Sequence, residues 1–210
     1  MRLRHLGQTG YLAAWEAMRV FTRARLPDTP DELWLTEHPP VFTLGVAGKP
    51  EHLLRDVGIP VMRTDRGGQI TYHGPGQLVI YLLLDLRRNH LKVAEMVRGM
   101  EAAIIRMLGE AGLTTQRREG APGVYLGAAG EGAKIAALGL KVSRGCTYHG
   151  LSLNVDMDLS PFAAIHPCGY PGLAVTQTRD QGLAFDVAAA GERLADELVR
   201  EFSGGEERHA

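Results

Sequence analysis

The chain has 210 residues, of which 45% are hydrophobic and 22% charged, the composition of a globular protein able to bury one substantial core. Its 23 basic and 24 acidic residues nearly cancel, so overall charge points neither to a nucleic-acid partner nor to an acidic tail. Two cysteines are too few for a disulfide scaffold, and the longest apolar run, Leu78 to Leu84, is far too short to span a bilayer.

The start, Met1-Arg2-Leu3-Arg4-His5-Leu6, has no apolar core leading to a cleavage site. The expectation is a reduced, cytoplasmic chain without membrane attachment, although a Cys146–Cys168 bridge is formally possible. Arg2, Arg4, Arg19, Arg23 and Arg25 stand against Glu16 alone in this region; such a cluster would suit an acidic protein partner, but it reads first as a solvated helix face. Tyr11, Trp15, Met18 and Phe21 recur at helical spacing, and Pro27 closes that segment. Strand-like runs follow at Leu33-Trp34-Leu35, Val41 to Leu44, Val61-Met62-Arg63, Ile70-Thr71-Tyr72 and Leu78 to Leu84. Val93, Val97, Met100, Ile104 and Leu108 form a second helical stripe, with Gly112 as its terminator. Gly123 to Leu126 and Lys134 to Val142, separated by the glycine-rich Gly127 to Gly132, read as a loose hairpin. Leu151, Leu153 and Val155 alternate with Ser152 and Asn154, the period of a half-buried strand. Val187, Ala190, Leu194, Leu198 and Phe202 form a third stripe, ended by Gly204-Gly205. All three stripes read as core faces. Hairpin-linked strands with a helix near each end and one in the middle indicate an α/β (α+β) fold, a mixed β-sheet with flanking helices. Residues 1–203 read as a single domain and 204–210 as a frayed tail.

Two segments carry chemistry. Cys168 stands in Ile165-His166-Pro167-Cys168-Gly169-Tyr170, where proline and glycine keep it out of a helix or ladder and present its thiol on a turn. A neighbouring lysine would keep such a thiol partly ionised, the form that attacks. Cys146, after Gly145 at a strand start, reads as structural. The second segment is Arg66-Gly67-Gly68-Gln69-Ile70-Thr71-Tyr72-His73-Gly74-Pro75-Gly76-Gln77, in which glycines let backbone approach a ligand and Arg66, Gln69, Thr71 and His73 add polar side chains. It lacks the lysine of a phosphate-binding loop, and no dinucleotide fingerprint is present. His73 and His149 share the context Thr-Tyr-His-Gly, which marks both for a pocket wall. Neither belongs to a metal spacing, so no metal is assigned.

These motifs, together with Lys134-Ile135-Ala136-Ala137-Leu138-Gly139 and Gly145-Cys146-Thr147-Tyr148-His149-Gly150-Leu151-Ser152-Leu153-Asn154-Val155, resemble the lipoyl(octanoyl) transferases from roughly Leu6 to beyond Gln177. These are the octanoyl-acyl-carrier-protein:protein transferases of lipoate synthesis. The resemblance implies a fold like the catalytic domains of biotin and lipoate protein ligases. It also implies Cys168 as the acyl-carrying nucleophile, with Lys134 lowering its pKa and moving protons. The substrate-binding stretches it implies are Arg66, Gly67, Gly68, Gln69, Ile70, Thr71, Tyr72 and His73, then Ala137, Leu138 and Gly139, then Gly150, Leu151 and Ser152. Implied partners are octanoyl-acyl carrier protein and the apo lipoyl domains of 2-oxoacid dehydrogenases and the glycine-cleavage H protein. No ATP or other cofactor is expected, since phosphopantetheine arrives on the carrier. Leu138, Leu151 and Tyr72 are expected in the wall of the acyl slot. One departure from the family pattern is His166, where asparagine is expected; it alters how the cysteine loop is held or puts a second base near the thiol. Two other readings stay open. An ATP-dependent lipoate or biotin ligase would carry a glycine-arginine-rich or Ser-Gly-Gly-Gly nucleotide loop, which is missing. A non-catalytic carrier-domain binding module would not need both Lys134 and Cys168.

Overall fold

The computed structural model describes residues 1–203. Residues 204–210, which include the expected Gly204-Gly205 helix stop and the expected tail, lie outside the described residues.

In chain order the elements are β1 (Arg2–Gln8), α1 (Tyr11–Ala24), β2 (Glu32–Glu37), β3 (Val41–Leu44), β4 (Val61–Arg63), β5 (Ile70–His73), β6 (Gln77–Leu83), α2 (Val93–Glu110), β7 (Thr115–Arg117), β8 (Val124–Leu126), β9 (Lys134–Ser143), β10 (Cys146–Asn154) and α3 (Val187–Ser203). Seven strands form one sheet in the order β1-β2-β6-β10-β9-β8-β7, and β4-β3-β5 form a second. Both are mixed, because β1 runs parallel to β2 and β3 runs parallel to β4 while the other pairings are antiparallel.

The apolar stripes decide which face each helix covers. Met96, Met100 and Ile104 of α2 and Leu194 and Leu198 of α3 pack with Ile80, Leu82, Leu151 and Leu153 in the main core. Full burial of side chains such as Ile80 or Leu198 contributes roughly 1.5–3 kcal/mol each. Ala14 and Met18 of α1 cover the opposite face, against Trp34, Val79, Tyr81 and Tyr148. A third cluster, with Phe42, Ile70, Tyr72 and Phe162, lies on the three-stranded sheet.

Four sequence readings change. β10 is buried along its whole length instead of on one face, because helices cover both sides of the sheet. Its polar positions therefore point to polar partners or the cavity instead of solvent. Strands β1 and β7 carry no alternating apolar pattern; they are edge strands held by ladder hydrogen bonds. Arg25 is not on a solvated face, since its guanidinium is buried against Asp31 at 2.5 Å and donates to Leu83 O at 2.7 Å. Val93 is not a core residue: it is 46% exposed, at a cavity rim.

One feature of the large sheet creates the site. β8 pairs with β9 only at Ala136 and Lys134, so the outer edge of β9 is free of β8 from Ala137 onward. The glycine-rich loop hooks onto that edge, with Gly67 N–H donating to Leu140 O at 2.8 Å.

Candidate active site

Cys168 sits on a short turn, Pro167–Gly169, with φ 55° and ψ 19°. That left-handed conformation is costly for a residue with a Cβ, and it persists only where the surroundings hold it. His166 N–H donates to His52 O at 2.8 Å, Gly169 N–H to His166 O at 2.8 Å, and Tyr170 O–H to Gly120 O at 3.1 Å. Gly169 follows at φ 77°, and a Cβ there would strike the side-chain amide of Gln69.

Lys134 opens β9 and is 4% exposed. The segment just past the cysteine loop clamps its backbone: Lys134 N–H donates to Ala174 O at 2.9 Å, and Thr176 N–H donates to Lys134 O at 3.0 Å. Its Nζ donates to Cys168 Sγ at 3.1 Å and to Pro122 O at 2.8 Å, and lies 5.2 Å from the centre of the Tyr125 ring. Burial alone pulls the lysine pKa down; the charge of Cys168 and the Tyr125 contact outweigh it and leave the pKa raised. Gly123 makes this approach possible, since a Cβ there would strike Lys134 Cε and Nζ.

Both groups open onto a cavity of about 430 Å³, within the usual range of small-ligand sites. Arg66, Gly67, Gly68, Gln69, Ile70, Thr71, His73, Ala137, Leu138, Gly139, Gly150, Leu151 and Ser152 line it along with Lys134 and Cys168. The second and third of the stretches expected to bind substrate meet because β9 and β10 are paired, with Gly139 opposite Gly150 and Leu138 opposite Leu151. Glycine is required at both: a Cβ on Gly139 would lie 2.9 Å from Gly67 O, and one on Gly150 would strike Ile80 O.

Tyr72 is the exception among these residues. It does not line the cavity; the period of β5 sends its ring to the other side, against Phe42 and Phe162 at 5.6 and 5.5 Å. His166 likewise does not put a second base in the cavity. Its ring lies 6.1 Å from that of His52, beside a groove on the other side of the cysteine loop.

Arg66 is buried without a carboxylate partner among the described residues, and burial lowers its pKa. Its guanidinium instead binds Thr43 Oγ1 and Gly67 O, at 2.8 and 2.9 Å, and Gln69 O at 2.7 Å. It thereby holds the glycine-rich loop in shape. Thr43 Oγ1 also lies 3.3 Å from His73 Nε2, and His73 Nδ1–H donates to Gln77 Oε1 at 2.6 Å. Gln77 passes a hydrogen bond to Asn154 Oδ1 at 2.9 Å. His149 has φ 60°, which turns its ring to Asp65, 3.0 Å away. Burial lowers the His149 pKa against the pull of Asp65. Burial also opposes the charge of Asp65, yet hydrogen bonds from His149, Tyr148 and Trp15 outweigh it and hold that carboxyl well below the carboxylate range.

Tyr11, Tyr81, Val93, Val97 and Pro122 also line the cavity, a role that no sequence motif assigns to them. Tyr11, Val93 and Val97 are hidden within stripes that otherwise face the core. The dipeptide Pro122-Gly123 before a strand was the one legible signal. Among the described residues no group of three His, Cys, Asp or Glu side chains could hold a metal, and no helix is long and apolar enough to cross a membrane. Cys146 and Cys168 are both free thiols.

Residues 10–199 match the model of the lipoyl protein ligase A/B catalytic domain. An octanoyltransferase of Azoarcus sp. (strain BH72) is 62% identical over 199 residues, covering 94% of this chain and 86% of that protein. In fold, the chain is similar to the bi-partite lipoate protein ligase of Thermoplasma acidophilum (TM-score 0.73, 19% identity, 97% of this chain and 82% of that one). It is also similar to the biotin protein ligase of Aquifex aeolicus solved with biotin and ATP (TM-score 0.64, 12% identity, 99% and 72%). The mixed sheet with flanking helices is thus the ligase-type catalytic fold, and the chain belongs to the lipoyl protein ligase A/B catalytic domain family, among its octanoyltransferases.

Proposed function

We propose that the protein moves an octanoyl group from acyl carrier protein to the target lysine of an apo lipoyl domain, holding it in between as a thioester on Cys168. The observation that carries this reading is the 3.1 Å contact between Lys134 Nζ and Cys168 Sγ at the wall of the cavity. Both sheets contribute walls, which supports residues 1–203 acting as one catalytic unit.

The cycle begins with a thiolate beside an ammonium. Cys168 sulfur attacks the octanoyl carbonyl, a new C–S bond forms, and the bond to the carrier's pantetheine sulfur breaks. The leaving thiolate takes a proton from Lys134, so the acyl-enzyme holds a neutral thioester beside a neutral amine. Burial, the largest influence on Lys134, favours that neutral form once the sulfur charge has gone. The amine then accepts the proton that the incoming lysine loses as it attacks the thioester. Cys168 departs as a thiolate, and the ion pair is restored. The product amide is more stable than the thioester, so transfer needs no ATP. The acceptors proposed are the lipoyl domains of 2-oxoacid dehydrogenases and the glycine-cleavage H protein.

Leu138 and Leu151 flank the acyl path. Seven carbons beyond the carbonyl, at ~0.8 kcal/mol per buried methylene, set an upper bound of roughly 5–6 kcal/mol on chain recognition. Leu138→Phe is expected to shift preference toward shorter chains, read as the ratio of hexanoyl to octanoyl transfer when both carriers compete. An unchanged ratio would remove Leu138 from the acyl wall. The transfer reading as a whole is tested by following the mass of an apo lipoyl domain incubated with enzyme and octanoyl carrier in ATP-free buffer. Modification of the domain is expected; modification that starts only after ATP is added would favour a ligase.

A further inference from the structure

We propose that Glu101 is a positioning residue for Lys134, acting through the peptide group that joins Pro122 to Gly123. The inference rests on the reading of Cys168 and Lys134 as the acyl-transfer pair.

Glu101 lies on α2 and is 5% exposed, on a helix face that is otherwise apolar. Its Oε1 accepts the Gly123 N–H at 3.0 Å. Lys134 Nζ donates to Pro122 O at 2.8 Å. That carbonyl and that N–H are the two ends of one planar peptide unit, joined by resonance. A carboxylate at the N–H end draws electron density toward the carbonyl, and an ammonium at the carbonyl end draws it the same way. The two hydrogen bonds therefore strengthen one another across a low-dielectric gap. Gly123 lets Nζ pass directly over the same unit, since any Cβ there would displace it.

The charged neighbours are few. Around Lys134 the one that acts most directly is the Cys168 sulfur on the cysteine loop, with the Tyr125 ring of β8 5.2 Å from Nζ as a polar contact. Around Glu101, Arg117 on β7 approaches Oε2 only at 3.9 Å and is itself 42% exposed. In the acyl-enzyme the sulfur no longer attracts Nζ, and Pro122 O, with the Tyr125 ring beside it, remains to hold the amine. Glu101 keeps that acceptor aimed and polarised, so Nζ stays beside the thioester that the incoming amine attacks.

Glu101→Gln keeps an oxygen for Gly123 N–H and removes the charge; Glu101→Ala removes both. Full-length wild type and both variants would be loaded with octanoyl on Cys168, and single-turnover transfer to an apo lipoyl domain followed across pH, with thermal melts in parallel. Without the negative charge the Lys134 ammonium is less favoured, so the base form appears at lower pH. The alkaline rise in transfer by Glu101→Gln is expected to move to lower pH, with the melt close to wild type. Glu101→Ala is expected to lose up to about 100-fold in transfer rate, the scale of a misplaced catalytic group, while the KM for the carrier changes little. Wild-type pH dependence in Glu101→Gln, or losses that only follow the folded fraction, would overturn the proposal. A wild-type enzyme that takes no octanoyl group on Cys168 would instead overturn the acyl-transfer reading, and this inference with it.

Discussion

Lys134→Ala is expected to lower octanoyl transfer by about 10²–10⁴-fold, the range for loss of a positioned acid–base group. Two separate losses combine in this variant. The sulfur no longer has an ammonium 3.1 Å away to stabilise the negative charge it carries as it attacks. The amine that would take the acceptor's proton is missing as well. The first loss is measured by alkylation of Cys168 with iodoacetamide at pH 7, and the second by single-turnover transfer from enzyme already carrying octanoyl. Both rates are expected to fall while the thermal melt shows a folded protein. Lys134→Arg is not expected to rescue the second step, because guanidinium does not give up its proton in this pH range. Wild-type alkylation and transfer rates in Lys134→Ala would remove the lysine from the chemistry.

The second large effect is on stability in mild acid. His73 is buried, and burial first, then the charges of His38, Arg66 and His149, push its pKa from 6.5 down to about 3 despite its hydrogen bond to Gln77. His38 and His149 are also lowered, chiefly by burial. A histidine held neutral in the fold binds fewer protons than the unfolded chain wherever pH lies between the two pKa values. Stability therefore rises with pH in that window and is lost as pH falls below 6.5. For His73 alone the loss by pH 5 amounts to about 2 kcal/mol, and the other two act in the same direction. Urea unfolding at pH 7.5, 6 and 5 should show this loss well above the pH at which carboxylates protonate. Asp65, with its depressed pKa, adds its own loss only below about pH 4. His73→Asn should flatten the slope. A wild type equally stable at pH 7.5 and pH 5 would mean that the buried histidines accept protons in the folded state.

The helices were legible because each buries one regular face, as with Met100, Ile104 and Leu108 in α2, and the interior strands because their buried runs are densely apolar, as in Leu78 to Leu84. β1 and β7 were not, since an edge strand such as Arg2–Gln8 is held by main-chain bonds that leave no side-chain period. The glycine-rich block, Lys134 and Cys168 were found as motifs, and the stretches around Leu138 and Leu151 came with the family resemblance. Sequence motifs do not assign faces, which is why Tyr72 was counted with its neighbours although it packs against Phe42. Glu101 was invisible for a different reason. Its position on α2 looks like any helix glutamate until the Pro122–Gly123 peptide is seen between it and Lys134. The left-handed backbone at Cys168 and His149 is likewise imposed by tertiary contacts and has no local signature beyond the following glycine.

The most direct test of the account is intact-protein mass spectrometry after incubation with octanoyl-acyl carrier protein, on wild type, Cys146→Ser and Cys168→Ala. The account predicts a single octanoyl adduct on wild type and Cys146→Ser, removed by hydroxylamine and discharged onto an apo lipoyl domain, and no adduct on Cys168→Ala. An adduct that survives in Cys168→Ala, or transfer by wild type with no adduct at any time, would contradict it.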